Sequence, residues 1–540
     1  MTSSSASVAD VAASEDATPK AGRDAHATIA RAGEASLRDD AEAKSRFLAT
    51  FSAEEERSIM KKVDQHFFVL IGLMYMIKQI DVNNAANVKV LQVGEPTNII
   101  AELNMTADQY NWVQSIYGIA YILFEAPSNL ILKKMSPHAW QARIFLCWGI
   151  IVAGHAAVQN RHALYALRFL LGMFEAGMFP GVMAQLSAWY RTDEMGKPVA
   201  WFFTIQTFSN IVGSLLCYGI SYMNGARGLS AWRWVYLIEG VITIFFAGAV
   251  FALLPDYPKS PRSNRWLTER EQEFIEVRLP EHAPMTSDPF FSKKEVIATL
   301  KSPLIWSFML SQMLVNFGNY ALTWYLPTIV TNLGFATLPK NQLLNIPPAV
   351  AAIIALIFSA WFISKAYIVR PLYIMFILTG MVICFVLFFT ISSRVGLYVA
   401  CILGTMFTQA YFIPFWAWRS ATLRGSTGTA FALGLQNAVG QVGTVTAPQL
   451  FQQRWAASGY KPSFAIAAGG TVAAFVANLG TWWLTRATER DVRRVRRLIR
   501  AARRDGRVFH GPDVAAREDP RLFGRAPKRG GDEDVRVIEV

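Results

Sequence analysis

Apolar runs of about 20 residues, enough to cross a hydrocarbon core as a helix, recur along the chain between short polar intervals. They predict spans near 67–89, 111–132, 142–160, 163–189, 198–222 and 232–254. After a polar interval at 255–303, further spans follow near 304–331, 342–364, 371–391, 396–418, 427–450 and 464–486. The pattern predicts an all-α membrane protein with twelve transmembrane helices in two six-helix bundles, at 61–254 and 304–486. Residues 1–60 are rich in Ser, Ala and Asp with no apolar core, and read as a disordered cytoplasmic tail without a cleavable signal peptide. Within the middle loop, 255–303, Thr268 and Glu271 stand at capping-box spacing, so a short surface helix is predicted to begin at Thr268. Residues 487–540 form a basic tail.

The fourth span breaks the apolar pattern most sharply. Arg168 and Glu175 lie inside it, and an ionisable group at membrane depth faces a water-lined interior by default. At about 100° per residue, Arg168, Gly172, Glu175 and Phe179 share one stripe. Gly177, Gly181 and Ala184 give the other side the small-residue spacing that admits a neighbouring helix. Arg168 and Glu175 stand about 10 Å apart along the axis, too far for a one-turn ion pair, so each needs a partner on another helix or on a substrate. The alternative is that Arg168 reaches out to the headgroups and Glu175 only packs.

The first span carries Lys78, Asp81, Asn83, Asn84 and Asn87. Lys78 and Asp81, three residues apart, can neutralise each other on one helix face; alternatively Asp81 binds a proton under the influence of Lys78 and substrate. The asparagines suggest a polar cavity wall. Glu125 and Glu239 are further intramembrane acids, whereas the second half offers the neutral Asn316, Asn319, Gln409, Asn437 and Gln441. Proton coupling is therefore expected at Asp81, Glu125, Glu175 and Glu239, and substrate contact at Arg168, Asn84, Asn316, Asn319 and Asn437. A guanidinium binds a carboxylate through two parallel hydrogen bonds, which makes Arg168 the expected anion contact.

Composition narrows the class. The 540 residues are 53% hydrophobic and 17% charged, against about a quarter charged in soluble domains. The net charge of +13 is concentrated in tails and loops beside apolar spans, which fits the positive-inside rule and anionic lipid rather than nucleic acid. That bias places both termini and the middle loop in the cytoplasm, in a plasma-membrane protein. Between Arg490 and Arg504, arginines flank an apolar stripe that includes Val492, Val495 and Ile499, predicting a basic amphipathic helix on the anionic inner leaflet. The sequon Asn104-Met105-Thr106 falls in the first loop, predicted external, so Asn104 is a candidate glycosylation site. The four cysteines lie in apolar spans without disulfide or metal-ligand spacing. No G-x-x-x-x-G-K-[ST] loop, H-E-x-x-H pair or nucleophile elbow occurs. No cofactor, metal or catalytic site is predicted, and secondary transport is favoured over an enzyme or an ATP-driven pump.

One set of motifs goes further. It comprises Asp81 with Asn84 and Asn87, Gln109-Tyr110-Asn111-Trp112, Pro127-Ser128-Asn129, and Arg168-Phe169 through Gly172. Glu175-Ala176-Gly177, Phe179-Pro180-Gly181, Trp232-Arg233-Trp234, Ile238-Glu239-Gly240 and Pro255-Asp256 continue it. On these, from about residue 60 to 490, the chain resembles the major facilitator superfamily and, within it, the fungal allantoate permease group of anion:cation symporters. Lys78 to Asn87 and Met223-Asn224-Gly225 look closest to the pantothenate and vitamin branch. The resemblance implies a monomeric carrier that takes up a small organic anion, such as allantoate, nicotinate or pantothenate, with protons. It implies alternating access around a midplane site. A non-transporting nutrient sensor on the same scaffold, or an exporter of drugs or metabolites, are the alternatives.

Overall fold

The computed structural model describes residues 41–132, 135–191, 194, 196–279, 293–420, 422, 432 and 435–504. Among them helices occur in every predicted span, the eleventh being described only from residue 435 onward apart from Ala432, and no strand is present. The first span is the helix Ala53–Lys89, started by a reciprocal cap: Ser52 accepts from the Glu55 N–H, and the Glu55 carboxylate accepts from the Ser52 N–H. Residues 53–60, which composition assigns to a disordered tail, therefore belong to this helix, and Ala41–Leu48 is helical as well. The second, third, fifth and sixth spans are Ala107–Leu132, Pro137–Gly154, Gly196–Ser221 and Ala231–Leu253. In the second half, Pro303–Asn332, Ile346–Ser364 and Arg370–Thr390 form the seventh to ninth.

The fourth and tenth spans are each broken just ahead of a proline. The fourth is Arg161–Glu175 followed by Met178–Ser187; the tenth is Arg394–Ala410 followed by Phe412–Ser420. Pro180 and Pro414 have no N–H to offer the carbonyls of Ala176 and Ala410, one turn earlier. The fourth and tenth spans hold corresponding places in the two halves, and proline-interrupted helices at such places flag the binding site of a transporter.

By length and hydropathy alone, six helical stretches among the described residues are able to cross a membrane, among them Arg161–Ser187 and Ala231–Leu253. The first and seventh spans fall outside that group because polar residues such as Lys78, Asp81, Asn316 and Asn319 lower their hydropathy while pointing inward, where they are buried. The small-residue faces are used: a Cβ on Gly177 would stand 2.8 Å from the Cβ of Ser128 on the second span. Gly172, predicted on the charged stripe, also abuts the second span, at Ala120. One helix thus meets its neighbour on both sides of the predicted division.

Hydrogen bonds between the halves gather at the end away from the termini. Asn111 Nδ2 donates to the Phe451 carbonyl (3.1 Å), Ser115 Oγ to that of Val445 (2.7 Å), and the Gln453 N–H to Asp108 (2.8 Å). Asn111 Oδ1 also accepts from Trp324 Nε1 at 3.2 Å and from Lys89 Nζ at 3.0 Å. That end is sealed.

At the opposite end the middle loop is fastened to the first half. Its helix, Glu269–Val277, starts at Thr268 with the predicted capping box. Lys62 pairs with Glu271 at 2.7 Å and Arg278 with Glu194 at 2.8 Å, while Trp266 stacks on Trp189. Burial raises the Glu194 carboxyl, but Arg278 outweighs this and holds it below the ordinary glutamate value. The twelfth span runs unbroken from Lys461 to Arg504, so the arginine-rich stretch extends the last span instead of forming the separate surface helix predicted for it. Arg370 pairs with Glu489, and Arg493 donates to the Tyr367 carbonyl, which tie this extension to the ninth span and the turn before it.

Candidate functional site

A cavity of about 70 Å³ lies between the halves, with space for on the order of five waters. The first span lines it with Tyr75, Lys78, Gln79, Val82 and Asn83, the i, i+3, i+4, i+7, i+8 face of one helix. Gln114, Tyr117 and Tyr121 come from the second span, and Gln206 and Asn210 from the fifth. Beyond the two helix breaks, Phe179 and the pair Phe412 and Trp416 reach it, with Phe179 and Trp416 ring centroids 5.5 Å apart. Asn316 and Asn319 of the seventh span and Asn437 and Gln441 of the eleventh complete the second-half wall.

Among the described lining side chains, Lys78 is the only Lys, Arg, Asp or Glu. Its Nζ sits 5.8 Å from the Tyr75 ring centroid and 5.5 Å from that of Tyr121, so two aromatic faces help to hold the ammonium. Glu175 stands behind it, fully buried, with Oε1 at 3.4 Å. The partner that spacing requires for Glu175 is thus a first-span cation.

A second polar network lies on the far side of the first span. Asp81 Oδ2 accepts from Trp148 Nε1 at 2.7 Å and Thr243 Oγ1 at 3.0 Å. Arg168 Nη2 donates to Asn84 Oδ1 at 2.8 Å and to the Tyr236 hydroxyl at 2.6 Å, and Asn84 Nδ2 donates to Glu239 Oε2 at 2.8 Å. One amide bridges a buried cation and a buried acid.

This arrangement places each sequence-predicted residue relative to the cavity. Lys78 and Asp81 do not pair: they stand about 60° apart on the helix, but the packing around the first span turns Lys78 toward Glu175 and the cavity and Asp81 toward Trp148 and Thr243 of the third and sixth spans. Arg168, expected at the substrate, is 0% exposed and does not line the cavity; nor does Asn84. Asp81, Glu125, Glu175 and Glu239 are all buried and none lines it. Glu125 instead accepts from Asn437 Nδ2 at 2.8 Å, joining the two halves. Asn316, Asn319 and Asn437 do face the cavity, and Asn104 is exposed in a turn. Sequence reasoning missed the cavity-facing positions of Lys78, Gln114 and Gln206. The signal was present in the spacing of Tyr75, Lys78, Gln79, Val82 and Asn83, and in Pro180 matched by Pro414.

The sequence profile of the Major Facilitator Superfamily matches residues 82–448. The chain belongs to that superfamily. It is a multi-pass membrane protein and a transporter of small molecules rather than an enzyme. It is 29% identical over 446 residues to the MFS-type transporter cnsO of Penicillium expansum, covering 81% of this chain and 85% of that one. It is 33% identical over 310 residues to the MFS transporter prlL of a fungal species (strain NRRL 50135), covering 57% of this chain and 62% of the relative, short of two thirds of its length. A putative tartrate transporter of Agrobacterium vitis is 28% identical over 303 residues, covering 56% of this chain and 64% of that one. In fold, the transporter is similar to a bacterial homologue of the human lysosomal transporter Spinster, crystallised in an inward-facing, occupied conformation. The TM-score is 0.52 at 14% identity, over 78% of this chain and 97% of that one.

Proposed function

We propose that this transporter imports small organic anions together with protons and belongs to the anion:cation symporter group. The observation that carries the reading is Lys78, the one Lys, Arg, Asp or Glu among the described residues that line the cavity, with Glu175 3.4 Å behind it. An entering carboxylate takes over the ammonium. Glu175, left in a dry site without its cation, then takes up a proton. One negative charge enters with one proton, so the loaded carrier is as neutral inside as the empty one, and its halves can rock about the midplane. Asn316, Asn319 and Asn437 hydrogen-bond the rest of the molecule. Glu125 keeps its bond to Asn437 only while the halves meet at that level, which couples its charge to the same motion.

Arg168, Asn84, Asp81 and Glu239 position the first span rather than touch the anion. The relative named as a putative tartrate transporter supports an organic-anion cargo. The protein acts as a monomer in the plasma membrane, with both termini cytoplasmic and Asn104 exposed to glycosylation outside. The arginines that end the last helix meet anionic lipid on the inner side.

The test is uptake by the purified protein in vesicles, with a panel of labelled monocarboxylates and an imposed pH gradient. Accumulation above equilibrium that collapses with the gradient, and is lost in Lys78→Gln, supports the reading. Uptake indifferent to both would sink it, as would a protein that binds anions but moves none.

A further inference from the structure

Resting on that reading, we propose that the cavity selects a monoanion whose other polar groups donate hydrogen bonds, and discriminates against dianions. The lining supplies one cation, and Glu175 already shares it at 3.4 Å. The other buried cations nearby are out of reach. Arg168 is enclosed by Asn84 and Tyr236 on the far side of the first span. Arg419 is 0% exposed, donates to the Ala432 carbonyl at 2.6 Å and lies beneath Trp416, outside the lining. Facing Lys78, the second half offers neutral amides, and one of them, Asn437, is already engaged by the Glu125 carboxylate.

Three lining glutamines set the second requirement. Gln114, Gln206 and Gln409, on the second, fifth and tenth spans, each bury an Oε1 with no hydrogen-bond partner among the described residues. A buried acceptor is satisfied only by a donor. A hydroxyl or an amide N–H supplies one. A second carboxylate, ionised, supplies none and brings another negative charge beside Glu175 and Glu125.

The test uses series built on succinic and glutaric acids: the diacid, its monoamide, its monomethyl ester and its diamide. Binding is read at pH 7.5, where both carboxyls are ionised, as thermal stabilisation of the purified transporter and as inhibition of its uptake in vesicles. The monoamide is expected to bind roughly tenfold or more tightly than the diacid and than the diamide, and more tightly than the ester, which lacks a donor. Gln409→Leu should erase the advantage of monoamide over ester while leaving that of monoamide over diamide. A diacid that binds as well as its monoamide overturns the selectivity and leaves the anion reading standing. A diamide that binds as well as the monoamide, or a protein that no member of any series stabilises, overturns both. Unchanged ligand ranking in Gln409→Leu removes the donor requirement.

Discussion

The two halves of the transporter bury different kinds of polar group. In the first half, Lys78, Asp81, Glu125, Arg168, Glu175 and Glu239 lie deep within the spans: Lys78 meets Glu175, Asn84 joins Arg168 to Glu239, Asp81 accepts from Trp148 and Thr243, and Glu125 accepts from Asn437 across the halves. In the second half, the buried charges sit near span ends, as with Arg370, Arg419 and Glu489, and the cavity wall is made of amides and aromatic rings. Buried charges cost far more to leave unpaired than buried amides do. The first half is therefore the part whose energy changes steeply when a proton or an anion arrives. The second supplies a neutral surface that can close over the cargo without charge bookkeeping of its own.

The most severe way to break this contrast is Arg168→Ala. It leaves Asn84, Tyr236 and the buried acids without their cation, at a cost of about 3–5 kcal/mol, so folded protein recovered by size exclusion should fall sharply. Equal loss from Asn316→Ala, in the second half, would show that the halves do not differ. Lys78→Gln/Glu175→Gln, which removes the cation and its buried partner together, should spare the fold but weaken anion binding by about 1.5–3 kcal/mol, roughly tenfold to a hundredfold, measured as the midpoint of substrate inhibition. Next in size is Gly118→Val at the seal. A Cβ there already meets Val445 Cγ2 at 2.9 Å, so the added methyl groups should cost the sealed state about 1–3 kcal/mol. Spin labels on the second and eleventh spans should then report a wider separation at that end.

The smallest effect belongs to a first-half charge outside the membrane. Glu102 accepts from Trp232 Nε1 at 2.8 Å and Arg233 Nη2 at 2.7 Å, and also from Ser230. Burial raises its carboxyl, but these three donors outweigh it and hold Glu102 below the ordinary glutamate value. Its stabilisation is complete above about pH 4.3 and disappears as pH falls through the depressed value. Glu102→Gln should cost about 1 kcal/mol or less at pH 7, and the difference in melting temperature from the parent protein should shrink toward pH 3. A difference that grows on acidification would reverse the sign.

Much of the fold is legible without coordinates because bilayer thickness turns composition into span length, and turn chemistry into helix starts. Thr268 with Glu271 begins its helix as the capping rule requires. The site was harder to read. Lys78 and Asp81 are near neighbours along the chain, and only the packing of the third, fourth and sixth spans around the first separates their partners. Arg168 marks an expensive interior position, yet nothing in its local pattern says whether cavity water or Tyr236 and Asn84 will satisfy it.

By itself, then, the sequence determined twelve spans, the superfamily, a charged first half and a neutral second. Those follow from one-dimensional quantities: apolar run length, residue type and helical period. The tertiary structure alone decided which charge meets the cavity, that Glu175 backs Lys78, that one end is sealed through Asn111 and Ser115, and that Pro180 and Pro414 break matching helices beside the same space. Helix rotation and inter-helix contact have no signature within a single span, because a buried ion is stabilised by whichever neighbour the packing brings within a few ångströms of it.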